Sequence, residues 1–246
     1  MAGMVKKFLA WSWSRLQTYE QCPAKAKYGY LDKIEEPKNA AMLRGSAIHK
    51  MAEDYVNKGG RLKEELKLYE KMFKAVRDLK KRKDVVISTE LQNAMTDKWE
   101  PASWFGKDAW LRVIVDLCIL LGAEKKLRLI DHKTGKVNLE GAVQLQLYAV
   151  WGFLAYPDVE VIDGELWFLD QLLINRHVTR FYRNGPPKGL VAEEGVVVHP
   201  DGLKKMQDKW TKRATPLLKD TKFAPKANDK CRWCYFSKAK DGPCKF

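Results

Sequence analysis

The stretch 110–136, WLRVIVDLCILLGAEKKLRLIDHKTGK, constrains this chain more than any other. Leu111–Leu121 is almost unbroken Val, Ile and Leu, and residues 127–130 resume the apolar pattern after a turn-like pentad at 122–126. This reads as two strands joined by a polar turn, each with one acid: Asp116 in the first, Asp131 closing the second. The midpoint between these positions falls inside the pentad, so a hairpin folded there sets the aspartates opposite each other, with Cβ atoms about 5 Å apart. Side chains alternate along a strand, so Lys133 shares the face of Asp131 while His132 points away. Two carboxylates and a lysine thus converge on one small area, which suits a metal ion and a phosphate.

The balance of 45 Lys plus Arg against 31 Asp plus Glu, a net +14, favours a polyanionic partner, nucleic acid before an anionic membrane surface. It also suits a merely soluble basic protein. Residues 57–83 hold eleven Lys/Arg and four Asp/Glu, half of the excess, and end in Lys80, Lys81, Arg82 and Lys83. A solvated face with favourable charge at a helix C-terminus and a DNA-positioning rim fit this run equally.

With 246 residues, 46% of them apolar, the chain is globular and can build one substantial core or two small ones. No apolar run approaches the roughly 20 residues of a membrane helix. Ser12, Ser14 and Arg15 interrupt the N-terminal apolar patch, which makes a poor secretory signal. No acid precedes Glu20, which leaves an organellar presequence open. A cytoplasmic location, in a bacterial or phage-infected cell, is expected.

Along the chain, a helix is expected over 12–27, ended or restarted at Pro23, and another over 40–55. In the latter Gly45, His49 and Glu53 line one stripe, and a helical Gly suggests close approach of another element. A second helix is expected over 57–83, a strand over 85–90, and an aromatic loop with Trp99, Trp104 and Phe105 before the hairpin. A third helix over 139–156 follows, with Gln144 and Tyr148 one turn apart on a common face. Strands at 164–173, 177–183 and 196–198 and a last helix marked by Leu203, Met206, Trp210 and Leu217 complete the order.

Hydrolysing a phosphodiester requires charge stabilisation at phosphorus and an activated water, and a divalent ion held by carboxylates supplies both. Asp116 and Asp131 could share such an ion, with His49 as third ligand if its helix packs on the hairpin. Lys133 would then orient the water or stabilise phosphate charge. A D-x-K triplet alone is a weak signal; placed opposite a strand aspartate and after a G-x-x-x-H helix, it is a specific one.

The succession Gly45-Ser46-Ala47-Ile48-His49, Val115-Asp116, Ile130-Asp131-His132-Lys133-Thr134-Gly135 and Gln144-Leu145-Gln146-Leu147-Tyr148 resembles the ordered motifs of RecB-like PD-(D/E)XK nucleases. The resemblance spans Cys22 to Cys244. It implies an α/β (α+β) restriction-endonuclease-like core, a mixed central sheet flanked by helices, and Mg²⁺- or Mn²⁺-dependent cleavage of DNA. Carried over residue by residue, His49, Asp116, Asp131 and the main-chain carbonyl of His132 would be metal ligands. Asp116, Asp131 and Lys133 would be catalytic, and Gln144 and Tyr148 would help position DNA. The sequence departs from the pattern in carrying Val115 where the superfamily name has proline, and Asp131 where glutamate is more widespread.

There are five cysteines, and clustered cysteines in a cytosolic protein more often bind metal than form disulfides. Cys118, mid-strand, reads as core. Cys22 with Cys231, Cys234 and Cys244 is similar to the iron–sulfur subset, AddB-type and CRISPR-associated RecB-like nucleases, in which a 4Fe-4S cluster joins the two chain ends. Four thiolates suit that cluster; tetrahedral zinc on the same ligands is the alternative. Cys234 and Cys244 stand further apart than the short gap usual there.

The expected organisation is one nuclease domain over 1–246: an N-terminal segment to residue 40, a core over 41–200 with the basic insertion 57–83, and a C-terminal helix and Cys cluster from 201. The implied activity is a DNA exonuclease on single strands or ends in recombination, repair or phage DNA processing, alongside recombination or replication proteins. The alternative is a nucleic-acid-binding accessory subunit with a silent nuclease site.

Overall fold

The computed structural model describes residues 7–138, 140–171 and 173–246. Seven strands form one mixed sheet: β1 (Val85–Met95), β2 (Pro101–Ala102), β3 (Leu111–Leu121), β4 (Lys126–Lys133), β5 (Val161–Phe168), β6 (Arg176–Tyr182) and β7 (Val196–Val198), in the order β2-β1-β3-β4-β5-β6-β7. β4–β5 and β6–β7 are parallel pairs and the others antiparallel. The mixed α/β core flanked by helices is the architecture expected from the sequence.

The helices are α1 (Trp13–Gln21), α2 (Pro23–Ala26), α3 (Ala40–Lys58), α4 (Glu70–Leu79), α5 (Glu140–Ala155) and α6 (Leu203–Lys219). Pro23 does restart the first helix: it stands at the first position of α2, where its missing N–H costs nothing, and a π-helical turn, Lys27–Leu31, follows. The parallel β4–β5 connection requires a crossover, and α5 supplies it. α5 carries buried residues on all sides because it lies between the sheet and α6. Its expected first residue, Leu139, lies outside the described residues, as does Leu172 in the strand expected over 164–173.

Two apolar cores sandwich the sheet. On one face Leu145, Val150 and Phe153 of α5, Trp210 of α6 and Leu16 of α1 meet Val113, Val115, Leu127 and Leu129. On the other, Ile48 and Ala52 of α3 and Phe73 and Val76 of α4 meet Leu117, Ile119 and Ile130.

Three expectations are corrected. The helix expected over 57–83 is not continuous: α3 runs to Lys58 and stops where Gly59 and Gly60 take φ of 78° and 88°, conformations glycine reaches without Cβ strain. A 3-10 turn, Glu64–Tyr69, then leads into the shorter α4. β1 continues past Glu90 to Met95, because pairing with β3 from Leu91↔Val115 to Met95↔Leu111 holds a segment whose polar Gln92 and Asn93 hide its strand character. β5 begins at Val161 and ends at Phe168, set by its register with β4 from Lys126↔Val161 to Lys133↔Phe168. Among the described residues no helix is long and apolar enough to cross a membrane.

Two acids in β5 are buried and fully paired. Asp163 meets Lys126 and Arg180 at 2.7 Å each, and Glu165 meets Arg128 at 2.7 Å, Arg176 at 3.2 Å and the Trp167 indole at 2.8 Å. Removing Glu165 leaves the buried Trp167 indole without its acceptor and the partly exposed Arg128 and Arg176 without their carboxylate. Glu165→Ala is therefore expected to lower the free energy of unfolding by about 2 kcal/mol, measured by urea titration; an unchanged midpoint would show that these contacts contribute nothing.

Candidate metal and phosphodiester site

The site forms where β3 and β4 part. Their ladder runs from Leu121↔Lys126 to Leu117↔Ile130 and ends there, one step before Asp116 and Asp131 would be partners. The expected register is thus the one observed, but the strands separate at the aspartates. With no strand partner for its amide, His132 donates its backbone N–H to Asp116 Oδ2 at 2.7 Å. β3 also changes face here: Val115 belongs to the α5-side core and Leu117 to the α3/α4-side core. Opposite Asp116 in β1, between the pairs Thr89↔Leu117 and Leu91↔Val115, Glu90 takes a left-handed φ of 46°.

Asp131, Lys133, Gln144 and Tyr148 close a ring. Lys133 Nζ lies 2.6 Å from Asp131 Oδ2 and donates to Gln144 Oε1 at 2.9 Å; Gln144 Nε2 donates to the Tyr148 hydroxyl at 2.5 Å, and that hydroxyl donates to Asp131 Oδ1 at 3.2 Å. The one-turn spacing of Gln144 and Tyr148 puts both on the face of α5 that meets β4. From the other side α3 brings His49, whose Nδ1 is 3.5 Å from Asp116 Oδ2. The close approach anticipated at Gly45 is to Thr134: a Cβ there would stand 3.0 Å from its Oγ1.

Burial raises the Asp131 carboxyl to about 6, with the charge of Asp116 adding and Lys133 opposing. Burial also works to raise Asp116, but the His49 hydrogen bond and the nearby histidines leave it below its usual value. His49 is raised: burial opposes this, and the hydrogen bond and charge of Asp116 prevail. The Tyr148 phenol is pushed well above its usual range, first by burial and then by the two aspartates, so it stays a donor.

The imidazole of His132 was assigned no role by strand alternation, and it does turn to the α3/α4 face, against Phe73 and Trp167. One of its ring nitrogens nevertheless falls within 4.8 Å of a ring nitrogen of His49 and a carboxylate oxygen of Asp116, the one such group of three His, Cys, Asp or Glu among the described residues. Its Nε2 is buried without a hydrogen-bond partner, and burial holds it neutral with a pKa of about 4. Glu90 also escaped notice in the sequence; it lines the outer mouth of the site with His49 and Glu53, and burial and then Asp116 raise its pKa. No local pattern signals either residue, since both depend on where β1 and α3 sit.

A model of the PD-(D/E)XK nuclease superfamily matches residues 10–239. The chain belongs to that superfamily. Members are nucleases that use divalent metals, so nucleic acid is the substrate class of this PD-(D/E)XK protein. No curated protein matches the chain. Among solved structures it is similar to one titled "Crystal structure of SSO0001", with 15% identity, a TM-score of 0.45, and coverage of 99% of this chain and 90% of that one. A likeness of that size says nothing of function.

The donor set suits the divalent ion that this superfamily uses: His49, Asp116 and the His132 imidazole have ligand atoms within 4.8 Å of one another, and Asp131, outside that group, lines the same cleft with its two oxygens on Lys133 and Tyr148.

The four cysteines singled out beside the PD-(D/E)XK motifs line one small cavity with Tyr28 and Phe236. All five cysteines are free thiols. The backbone N–H groups of Lys226 and Asn228 donate to Cys22 Sγ and Cys231 Sγ, each at 3.4 Å. The Asn228 amide bonds the Gln21 carbonyl at 3.2 Å, and Tyr28 bonds that of Pro243 at 3.3 Å, so the chain ends are tied together around the thiols. Cys118 is core, its thiol pushed to about 12 by burial.

Lys80, Lys81, Arg82 and Lys83 are not brought to the cleft holding Asp116 and Asp131. Lys80 bonds the Val56 carbonyl at 2.7 Å, Lys81 pairs with Asp78 at 2.6 Å, and Arg82 pairs with Asp84 and with Glu124 in the hairpin turn at 2.7 and 3.0 Å.

Asp131 and His49 hold protons more tightly in the metal-free fold than in the unfolded chain. The stability each contributes is full below its unfolded pKa and lost as pH rises, for Asp131 through about 6. A bound cation displaces those protons. The rise in Tm on adding Mn²⁺ is expected to be small at about pH 5 and large at about pH 7.5, and to vanish in Asp131→Asn. Equal shifts at both pH values, by scanning calorimetry, would refute this assignment.

Proposed function

We propose that this protein is a Mg²⁺- or Mn²⁺-dependent deoxyribonuclease of the RecB-like branch, an exonuclease acting on single strands or ends. The observation that carries this reading is the pair of carboxylates at the fork between β3 and β4, buried Asp131 and Asp116 at 11% side-chain exposure, with Lys133 beside them. His49, Asp116, Asp131 and the main-chain carbonyl of His132 would hold the ion, and the His132 imidazole is close enough to His49 and Asp116 to join or support those two.

A divalent ion so held supplies positive charge at the phosphate and lowers the pKa of the attacking water. The residues themselves do the rest. Tyr148 donates to Asp131 Oδ1 and leaves Oδ2 for the ion or for Lys133. Gln144 accepts from Lys133 and fixes the ammonium over the cleft, where it can orient water or meet the developing negative charge. His132, neutral and packed between Phe73 and Trp167, keeps the end of β4 rigid.

Cys22, Cys231, Cys234 and Cys244 are proposed to carry a 4Fe-4S cluster that clamps the chain ends. Two of the four sulfurs accept backbone N–H groups, and four cysteine ligands are what such a cluster takes. A single zinc ion with bonds of about 2.3 Å would need sulfur pairs about 3.8 Å apart. No three of these sulfurs lie within 4.8 Å of one another among the described residues. A cluster, with iron and sulfide between the thiolates, takes the wider set.

Incubation with labelled linear and circular DNA and Mn²⁺ is expected to show degradation from ends, and Asp131→Ala or Lys133→Ala to slow it at least about 100-fold. Undiminished cleavage by either variant would remove the site. Anaerobically purified protein is expected to be brown with visible charge-transfer absorption; a colourless preparation with one zinc per chain would overturn the cluster.

A further inference from the structure

The cleft that holds Asp116, Asp131 and Lys133, about 720 Å³ in volume, is also lined by Arg15 and Arg112. Main-chain bonding brings these two arginines together. Trp11 donates to the Trp110 carbonyl at 2.8 Å and accepts from the Arg112 N–H at 2.9 Å, a single parallel bridge to Leu111. α1 begins two residues later, so Arg15 in its first turn is carried to the mouth of β3.

Each guanidinium is half-buried and laid against an aromatic ring: Arg15 at 5.5 Å from the Tyr30 centroid, Arg112 at 5.7 Å from that of Trp104. Their hydrogen bonds go to main-chain carbonyls, Arg15 to Ala10 at 3.1 Å and Arg112 to Trp104 at 2.9 Å. Arg82, Arg128, Arg176, Arg180 and Arg213 all meet carboxylates; among the described residues Arg15 and Arg112 have no such ion pair. Burial and then the charge of Arg112 lower the Arg15 pKa, as expected of two cations on one cleft wall.

Beside them stand aromatic side chains with exposed surface. Tyr30 is 37% exposed, Trp104 is partly exposed, and Phe105, next along the loop, is 88% exposed. Tyr30 also lines a second open cleft of about 910 Å³ that carries Lys25, Lys33 and Lys38 and reaches Phe236 near the cysteines. Glu35 and Glu36 also line this second cleft, so its positive excess is small; it extends the path from the aspartates past Tyr30 towards the joined chain ends.

We propose that Arg15 and Arg112 clamp a phosphate neighbouring the scissile one while Tyr30, Trp104 and Phe105 receive unstacked bases, so that the cleft is built for single-stranded DNA. A guanidinium offers a planar fork to phosphate oxygens. A duplex keeps its base faces stacked and cannot offer them to the rings, whereas a single strand can. This deepens the nuclease reading of the same site and rests on it.

The test is binding of fluorescein-labelled oligothymidylate and of a blunt duplex to the protein in EDTA, by anisotropy over a range of salt. Arg15→Gln and Arg112→Gln, which keep side-chain donors for the carbonyls, are each expected to weaken single-strand binding. Each should also reduce the slope of log K against log salt by about 0.7. Arg15→Lys and Arg112→Lys, which keep the charge, are expected to retain the slope and serve as the reading should a glutamine variant melt early. Trp104→Ala with Phe105→Ala is expected to weaken single-strand binding about tenfold with the slope and the duplex affinity unchanged.

Slopes unchanged in folded glutamine variants, slopes lost in folded lysine variants, or an equal loss on duplex would overturn the proposal. Mn²⁺-dependent cleavage by wild type from the same preparation separates the two readings. Cleavage with unmoved slopes removes the clamp alone, and a wild type that neither binds nor cleaves removes both.

Discussion

The parting of β3 from β4 after the Leu117–Ile130 pair is the constraint on which the site depends. β3 stays paired with β1 on both sides of Asp116, so β4 is the strand that leaves, and the amide of His132 loses its ladder partner. An unpaired buried amide is costly, and the Asp116 carboxylate takes it. That one hydrogen bond orients Asp116, sets the spacing between the strand ends and keeps the fork open. The parallel pairing of β4 with β5 imposes a crossover helix, and α5 brings Gln144 and Tyr148 over the end of β4. The same connection that completes the sheet thereby supplies the groups that orient Lys133 and Asp131.

The acids of the sheet divide into two kinds by their partners. Asp163 and Glu165 are surrounded by Lys126, Arg128, Arg176 and Arg180, and their charge is balanced where they stand. Asp116 and Asp131 share one cleft with a single lysine and His49 as their positive partners, and burial first, then the charge of Asp116, raises the Asp131 carboxyl to about 6. A buried carboxylate pair left short of positive charge is a place for a cation, and its partners are arranged to orient rather than to neutralise it.

The positive charge of the molecule follows a similar division. The most basic run, 57–83, spends several of its cations on its own structure: Lys80 bonds the Val56 carbonyl near the end of α3, and Arg82 ties the turn after α4 to the β3–β4 hairpin. Arg15 and Arg112 are isolated in sequence and bring their charges to the cleft unpaired. Local charge density thus marks a solvated and self-paired surface here, while the electrostatics of the cleft come from residues far apart in the chain.

Local pattern was enough for the hairpin register, the extent of β3, the restart at Pro23, the shared face of Gln144 and Tyr148, and the ordered motifs that place the chain among PD-(D/E)XK nucleases. Each of these depends on periodicity or turn chemistry within a few residues, which the amino-acid order determines directly. Tertiary structure alone decided that β1 runs on through a left-handed Glu90, that His49 reaches Asp116, that the His132 imidazole joins them, and that Arg15 stands beside Arg112. The break after α3 had its local signal in Gly59-Gly60; the competing apolar periodicity of 62–79 obscured it. The physical reason is that a periodic pattern specifies an element and its buried face, whereas which two elements meet depends on pairings between distant segments. This site is assembled from such pairings: α3 on β3, α5 on β4, and Trp11 on Leu111.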